Sequence, residues 1–339
     1  MTDPGNALVI FGIVVAILLL LFLPKIGLRA QWYRARRGRK RILIEDALKH
    51  IYDCEYKNII CTTESIAGTL LISTDESAGL LTRLSAMGLL VTNDNGVKLT
   101  ADGKSYALRV IRVHRLWERY LADETSVPPT EWHSSAELAE HRLTEEQTEA
   151  LAAQIGNPHF DPHGDPIPTP AGEMPPKKGK SLLSMNGGEF AVITHIEDEP
   201  EAVYAQLIAQ GLYVGMQVMM IERSNDRVRF AADGEEIILA PLLTNNITVA
   251  PITEEEHKIT APLESLATLR IGEEANILSI SKAMRGQQRR RLMDLGIVPG
   301  TTVRAEMVSA SGDPVAYSVR GALVALRQQH ANMIFIQRQ

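Results

Sequence analysis

The sequence predicts an α+β multidomain protein with an N-terminal transmembrane helix, a winged helix-turn-helix domain, a helical segment and two small SH3-like β-barrels. Three observations predict this arrangement. They are an apolar run near the N-terminus, a helix–helix–helix–hairpin order after residue 42, and an internal repeat in the C-terminal half. A chain of 339 residues is long enough for several such domains.

The composition narrows the class of protein. The formal net charge is −6, with +7 on residues 1–41 and −13 on the remainder, so the body of the chain is not an obvious binder of polyanions. The two cysteines, Cys54 and Cys61, fit neither a disulfide framework nor a CxxC metal site. We interpret them as reduced residues without a role in a site.

Residues 7–23 are all apolar or glycine and predict a membrane anchor at 1–24. A helix over this run is roughly 25 Å long, at the short end for a bilayer. The basic juxtamembrane segment, 25–41, follows the apolar run, whereas a cleaved signal peptide has its positive charge before it. The positive-inside rule then predicts a single-pass protein of the inner (cytoplasmic) membrane, with its N-terminus outside and its bulk in the cytoplasm.

Residues 42–105 have the order of a winged-helix domain. Helical spacing of apolar residues marks a first helix, and capping sequences at 62–65 and 73–76 open the next two. A hairpin with its turn at 93–96 predicts the wing. A long helix follows from Thr100.

Two predicted helices carry His and Glu residues at helical spacing. The residues are His114, Glu118, His133, Glu137, Glu140 and His141. Positions three or four apart share a helical face, so a solvated polar face could explain any single pair, but two pairs and a further Glu within 28 residues favour a metal site. The donors are nitrogen and oxygen, which suits Mn²⁺ or Fe²⁺ with a weak preference over Zn²⁺.

Several motifs between residues 42 and 168 resemble the DtxR/MntR family of metal-dependent bacterial repressors. The motifs are Glu45-Asp46…Ile51-Tyr52, Leu99-Thr-Ala-Asp-Gly-Lys104, His114-Arg-Leu-Trp-Glu118, His133…Glu137…Glu140-His141 and Gly-Asp-Pro-Ile-Pro at 164–168. The resemblance implies a primary metal site and a second one. The primary site would comprise Asp46, Glu137, Glu140 and His141, and the second His114, Glu118 and His133.

The chain departs from the metal-site pattern of this family at two positions. Manganese-type members carry a carboxylate one turn after Asp46, where this chain has Lys49. Iron-type members carry a basic residue there and a softer donor where this chain has Glu137. The expected cofactor is therefore Fe²⁺ or Mn²⁺, and the choice between them stays open.

The third helix of the winged-helix domain is the candidate DNA-reading element. Its candidate contacts are Ser73, Thr74, Ser77 and Arg83. Asp75 and Glu76 lie in the same turn, where they stabilise the helix N-terminus but repel phosphate. We expect DNA binding to be weak, or to use the wing and the basic run at 34–41.

Residues 106–160 are predicted to form metal-binding and dimerisation helices. A capping box at 144–147 opens a helix with a small apolar face, and the resemblance implies a homodimer through this region. A Pro-rich linker follows at 161–180. His159 and His163 fall on turn residues beside and within it, which argues against a further metal site there.

Residues 181–251 and 262–338 form an internal repeat with a period of about 84–86 residues. Each copy has short β runs and one short helix that ends at a glycine, which predicts an SH3-like barrel. Both copies resemble FeoA domains, which accompany ferrous iron transporters and end many iron-type repressors, and the second copy is the closer match. Neither contains a nucleophile–base pair, a phosphate loop or a clustered metal site, so we interpret both as interaction modules.

Two functions follow from these observations, and neither is enzymatic. The first is a membrane-tethered, homodimeric, Fe²⁺- or Mn²⁺-dependent DNA-binding regulator of metal homeostasis. The second is a metal-sensing accessory subunit of a ferrous iron or manganese transporter that no longer binds DNA. The order of helices and ligands favours the first function, whereas the predicted anchor, Asp75, Glu76 and the acidic body favour the second.

Overall fold

The computed structural model describes residues 28–93, 96–176, 179–232, 235–253, 264–281 and 283–338. The chain forms two compact units, which meet in sequence between Ile111 and Arg112. The predicted anchor at 1–24, with its apolar run at 7–23, lies outside the described residues.

The described residues contain no helix that is both long and apolar enough to cross a membrane. The longest, α1 (Leu28–Tyr56), has 29 residues, but Arg and Lys crowd its first half. Such a helix has the length for a bilayer without the apolar surface that contact with lipid requires. On this finding the prediction of a single-pass protein of the cytoplasmic membrane, with its N-terminus outside, is wrong.

The N-terminal unit consists of α1, a helix-turn-helix and a wing. Its further elements are α2 (Thr63–Leu70), α3 (Thr74–Ala86), β1 (Leu90–Asn93), β2 (Gly96–Leu99) and the start of α4 (Ala101–Glu124). Capping boxes at Thr62 and Ser73 open α2 and α3, as the sequence predicts. The strands pair antiparallel, with Leu90 opposite Leu99.

The core of this unit is aliphatic. The side chains of Leu48, Ile51, Ile66 and Leu84 are fully buried. Gly103 allows α4 to approach the hairpin closely, because a Cβ there would lie 1.9 Å from the carbonyl oxygen of Leu89. The winged-helix order predicted from the sequence is therefore present.

The C-terminal unit starts with the rest of α4 and two shorter helices, α5 (Trp132–Glu140) and α6 (Glu145–Gln154). Leu116 of α4 packs in a small apolar cluster with Leu151 of α6 and Ile167. An ion pair also joins α4 to α6, since Nη2 of Arg112 lies 2.8 Å from Oε2 of Glu149.

Two six-stranded antiparallel sheets follow and have the same strand order. The first contains β3 (Lys180–Ser181), β4 (Phe190–Ile196), β5 (Gln217–Arg223), β6 (Val228–Ala232), β7 (Glu235–Leu239) and β8 (Ile247–Pro251), in the order β3-β8-β4-β5-β6-β7. The second contains β9 (Glu264–Ser265), β10 (Glu274–Ile280), β11 (Thr302–Val308), β12 (Val315–Val319), β13 (Ala322–Leu326) and β14 (Ile334–Arg338). Its order, read from the equivalent edge, is β9-β14-β10-β11-β12-β13.

The same two short helices accompany each sheet. They are α7 (Glu201–Ala209) and α8 (Pro241–Thr244) with the first sheet, and α9 (Gly286–Asp294) and α10 (Gln328–Ala331) with the second. Following the sequence prediction, we use the names first barrel and second barrel for these two sheets with their helices. The strand registers shift at equivalent places, between Ile193 and His195 in β4 and between Ile277 and Ser279 in β10. The internal repeat of the sequence thus corresponds to two sheets that share even their irregularities.

The start of the predicted linker is a well-packed turn against the first barrel. Phe160 and Pro166 form an isolated antiparallel bridge, and the amide of Ile196 donates to the carbonyl of His163 over 2.9 Å. Gly164 has a φ of +95°, and a Cβ there would lie 2.0 Å from the carbonyl oxygen of Thr194. Only glycine fits this approach, so the turn holds the helical part and the first barrel together.

Candidate metal centre

Glu118 lies at the centre of a buried cluster of imidazoles in the C-terminal unit. Its Oε1 is 3.1 Å from Nε2 of His114, 3.5 Å from Nδ1 of His133 and 3.7 Å from Nε2 of His163. His114 lies one turn before Glu118 on α4, and His133 lies in the first turn of α5. The second site that the resemblance implied, His114, Glu118 and His133, is therefore brought together.

The first barrel adds carboxylates to this cluster. Oδ2 of Asp198, in the loop between β4 and α7, is 2.9 Å from Nδ1 of His133 and 4.0 Å from Nε2 of His163. Oε1 of Glu199 is 3.2 Å from Nε2 of His133. We call His114, Glu118, His133, His163 and Asp198 the Glu118 cluster.

Local structure fixes the residues that come from loops. Oδ1 of Asp161 accepts the amides of His163, Gly164 and Asp165, each over 2.9 Å, and this closes the turn that carries His163. Nε1 of Trp132 donates to the carbonyl of Val127 over 2.9 Å and so orients the start of α5. These bonds preorganise the cluster without using its own side chains.

The ionisation of the cluster is strongly perturbed. Burial alone would raise the pKa of Glu118, but the charge and hydrogen bond of His114 hold it well below its usual range. Burial would likewise raise the pKa of Asp198, and its hydrogen bond with His133 lowers it. Burial would lower the pKa of His133, but its carboxylate partners, Asp198 first, raise it far above its usual range. Imidazolium charge therefore balances the carboxylates of this cluster.

The donor set fits a divalent cation. Two triads have ligand atoms that all lie within 4.8 Å of one another: His114, Glu118 and His133, and Glu118, His163 and Asp198. Both ring nitrogens of His163 are buried without a hydrogen bond in the described part of the chain. Buried polar atoms are rarely left so, and nitrogen and oxygen donors suit Mn²⁺ or Fe²⁺.

The residues of the predicted primary site differ in what their side chains contact. Oε2 of Glu140 is 2.5 Å from Nδ1 of His114, and Oε1 is 3.7 Å from Nε2 of His141, which caps the C-terminus of α5. Oε1 of Glu137 is 3.6 Å from Nε2 of His133 and thus lies beside the second site. Asp46 is on α1 in the N-terminal unit. The primary site as a whole stays a prediction.

The candidate DNA contacts are only partly available. Ser77 is fully buried, and its hydroxyl donates to the carbonyl of Thr63 over 2.9 Å, so we withdraw it as a DNA contact. The hydroxyl of Ser73 caps α3 through the amide of Glu76. Thr74 and Arg83 are exposed on α3 and stay predicted contacts.

Sequence reasoning missed two members of the cluster, His163 and Asp198, and also Glu199, which lies beside it. Spacing on a helix cannot reveal them, because each lies in a loop and two belong to another domain. A signal was present in the run Glu197-Asp198-Glu199, which the second copy of the repeat lacks.

Comparison with protein families gives two matches. Residues 100–169 match the model described as "Iron dependent repressor, metal binding and dimerisation domain". Residues 264–338 match the FeoA domain. The first match contains His114, Glu118, His133 and His163, and the second covers the second barrel.

Comparison with individual proteins agrees with the family matches. The chain is 35% identical to the iron-dependent repressor IdeR of Mycobacterium tuberculosis over 122 residues, which are 36% of this chain and 53% of that protein. It is 26% identical to the diphtheria toxin repressor of Corynebacterium glutamicum over 217 residues, 60% of this chain and 94% of that protein. The structure titled "Manganese-dependent transcriptional repressor complex with manganese" covers 61% of this chain and 99% of its own, with 26% identity and a TM-score of 0.57.

These matches cover only part of the chain or of the relatives. The chain spans about half the length of the iron-dependent repressors that it matches first, and its likeness to the solved repressor leaves more than a third of the chain uncovered. No enzyme is among the relatives described here. Residues 100–169 are thus similar to the metal binding and dimerisation domain of iron-dependent repressors, and residues 264–338 are similar to the FeoA domain.

Proposed function

We propose that this protein is a divalent-metal-dependent transcriptional regulator of metal homeostasis that responds to Fe²⁺ or Mn²⁺ and binds DNA as a homodimer. The Glu118 cluster is the observation that carries the proposal, because it gathers buried nitrogen and oxygen donors from α4, α5, the linker turn and the first barrel. The similarity to iron- and manganese-dependent repressors supports it, as does a winged-helix domain on the same chain.

In this proposal the metal changes which arrangement of the protein is most stable. Metal ions held by the two triads of the Glu118 cluster would stabilise the arrangement that joins these elements, and not one in which they separate. A ligand shifts a conformational equilibrium only by its difference in affinity for the two states. Ligands from four elements give such a difference.

The test is metal-dependent retention of DNA by the full chain. We would select from a pool of random duplexes at low salt, with Mn²⁺, with Fe²⁺ under anaerobic conditions, and with a chelator. The proposal expects enrichment of a sequence motif only with metal. The variant Glu118→Gln should abolish this enrichment, whereas Glu145→Gln, which removes an exposed charge at the start of α6, should not.

One observation favours a second candidate, a metal-sensing accessory of a metal transporter. The first turn of α3 carries Asp75 and Glu76, Glu76 is held by the cap, and Ser77 is buried, so this turn offers phosphate little attraction. The FeoA domain fits the same function as an interaction module. Metal binding at the Glu118 cluster without metal-dependent DNA enrichment would favour this candidate over the regulator.

A further inference from the structure

A cluster of soft donors lies in the winged-helix domain and shares no residue with the Glu118 cluster. His50 and Cys54 are one turn apart on α1, and Cys61 lies in the segment between α1 and α2. Their ligand atoms, Nε2 or Nδ1 of the ring and two Sγ atoms, all lie within 4.8 Å of one another. Both thiols are free and buried.

We propose that His50, Cys54 and Cys61 form a separate site for a thiophilic divalent cation of the Zn²⁺ type. With Zn–S near ~2.3 Å and Zn–N near ~2.0 Å, ligand atoms of a tetrahedral site lie roughly 3.5–3.8 Å apart. Sγ of Cys54 is 3.7 Å from Nε2 of His50. Three protein ligands would leave the fourth position for water or another small donor.

The surroundings of His50 prepare its ring for this role. Nδ1 is 3.3 Å from Oγ1 of Thr69, so an N–H on Nδ1 can donate to this hydroxyl and leave Nε2 as the ligand atom. Metal-bound histidines usually have such a partner on the other nitrogen. Nε2 is also 3.1 Å from Oγ of Ser65, which keeps a bond to the carbonyl of Thr62 when the ring turns to a metal.

Binding at this site would release protons. Burial raises the pKa of Cys61 to about 12 and also raises the pKa of Cys54, while burial lowers the pKa of His50. The metal-free site thus holds two neutral thiols and a neutral ring. One Zn²⁺ would displace one proton from each thiol, so that the bound site is neutral and affinity rises with pH.

The position of the site gives it a consequence for the DNA-reading domain. The carbonyl of Cys61 accepts the amide of Val97 in β2 over 3.3 Å, and Oε1 of Glu55 accepts the amide of Leu99 over 2.7 Å. An ion joining Cys61 to α1 would therefore brace α1, α2 and the wing strand together. Thiolate ligands would make this site respond to soft cations, whereas the Glu118 cluster consists of imidazoles and carboxylates and has no thiolate.

The experiment titrates Co²⁺ into the reduced full chain and records thiolate-to-cobalt charge-transfer absorption. The chain has only two cysteines, so this absorption reports this site alone. We expect saturation at one sulfur-bound Co²⁺ per chain, bleaching by Zn²⁺, and the same signal in Glu118→Gln. Cys61→Ser should abolish the two-thiolate signal, and His50→Gln, which keeps both thiols, should weaken binding at least tenfold.

Two results would overturn the proposal. One is a folded full chain that takes up Co²⁺ at the Glu118 cluster without any sulfur absorption. The other is closure of Cys54 and Cys61 to a disulfide in the presence of Zn²⁺ at the rate seen without it, which would indicate a redox pair. Circular dichroism of each variant separates loss of the site from loss of the fold.

Discussion

The two barrels share a strand order, but their equivalent loops have opposite charge. In the first barrel the loop between β4 and α7 is acidic and brings Asp198 to His133. In the second barrel the loop between β10 and α9 leads to Arg285 and Arg290. Arg290 donates to the carbonyl of Asp123 over 3.0 Å and pairs with the carboxylate of Glu124, at the end of α4.

The comparison shows that the connection between equivalent strands and helices of the two barrels contacts a metal-binding cluster in one barrel and a helix end in the other. The acidic loop meets the helical segment at imidazoles. Helix α9, which follows the basic loop, meets it through Arg290 at the C-terminus of α4, where positive charge is favourable. Gly286 tightens the second contact, because a Cβ there would lie 2.0 Å from the carbonyl of Thr125. We infer that the first barrel is coupled to metal and the second is fastened independently of it.

The largest expected effect is that of Glu118→Gln. The amide keeps the size of the side chain but removes the charge that faces three imidazoles, so Mn²⁺ affinity at the cluster should fall by at least about 100-fold. Calorimetric titration of the full chain measures it, with Glu145→Gln as the control. Unchanged affinity and stoichiometry would remove Glu118 from the site.

The variant Asp198→Asn tests the coupling of the first barrel directly. It removes the carboxylate 2.9 Å from His133 and should weaken Mn²⁺ binding about 10- to 100-fold. Asp226→Asn, in an exposed loop of the same barrel, is the matched control and should bind as the parent does. Equal affinities for the two variants would mean that the first barrel has no part in binding.

The variant Gly164→Ala tests the turn that joins the first barrel to the helical part. Its methyl group would meet the carbonyl of Thr194, so we expect a loss of stability of about 3 kcal/mol or more. Gly156→Ala also has a positive φ, but open space surrounds it, so it should lose only about 1 kcal/mol. Thermal unfolding midpoints should differ accordingly, and similar midpoints would argue against the close approach.

Metal affinity should rise with pH. The raised pKa of His133 means that its ring carries a proton at neutral pH in the metal-free protein, and an ion must displace it. That proton stabilises the metal-free fold fully below the ordinary histidine pKa of about 6.5, and the contribution is lost as pH rises through the raised value. Calorimetry in buffers of different ionisation enthalpy should show proton release at pH 7, and its absence would contradict this assignment.

The smallest effect is expected for Arg290→Ala in the second barrel. An ion pair of a half-exposed arginine contributes at most about 1 kcal/mol to stability. Mn²⁺ affinity should equal that of the parent chain by the same calorimetric titration. A loss of Mn²⁺ affinity as large as that expected for Asp198→Asn would mean that the second barrel, like the first, is coupled to metal binding.

Local patterns predicted much of the fold and three of the five residues of the Glu118 cluster. Capping residues located α2 and α3, and the four-residue spacing of His114 and Glu118 identified them as partners, because helical geometry is local. His163 and Asp198 escaped prediction because a turn and a second domain bring them in, and no sequence period records such contacts. The proximity of Cys54 and Cys61 to His50 escaped prediction because their spacing matches no linear metal motif.

One candidate residue was withdrawn because the fold already uses its side chain, and two other assignments stay open. Ser77 has the right type and position for a DNA contact, but its hydroxyl is used to join α3 to α2. Glu137 lies beside His133, and its assignment to the primary site by resemblance stays a prediction. The choice between Fe²⁺ and Mn²⁺ also stays open, because the oxygen and nitrogen donors of the cluster suit both.

Glu118 belongs to both triads of the cluster, and this sharing constrains how metal ions can occupy the two triads. One carboxylate cannot supply its full charge to two ions at once, so an ion in either triad makes the other less attractive. Successive occupancy would then be anticooperative, and the binding isotherm would be broader than that of independent sites. A regulator built this way would grade its response over a wide range of metal concentration.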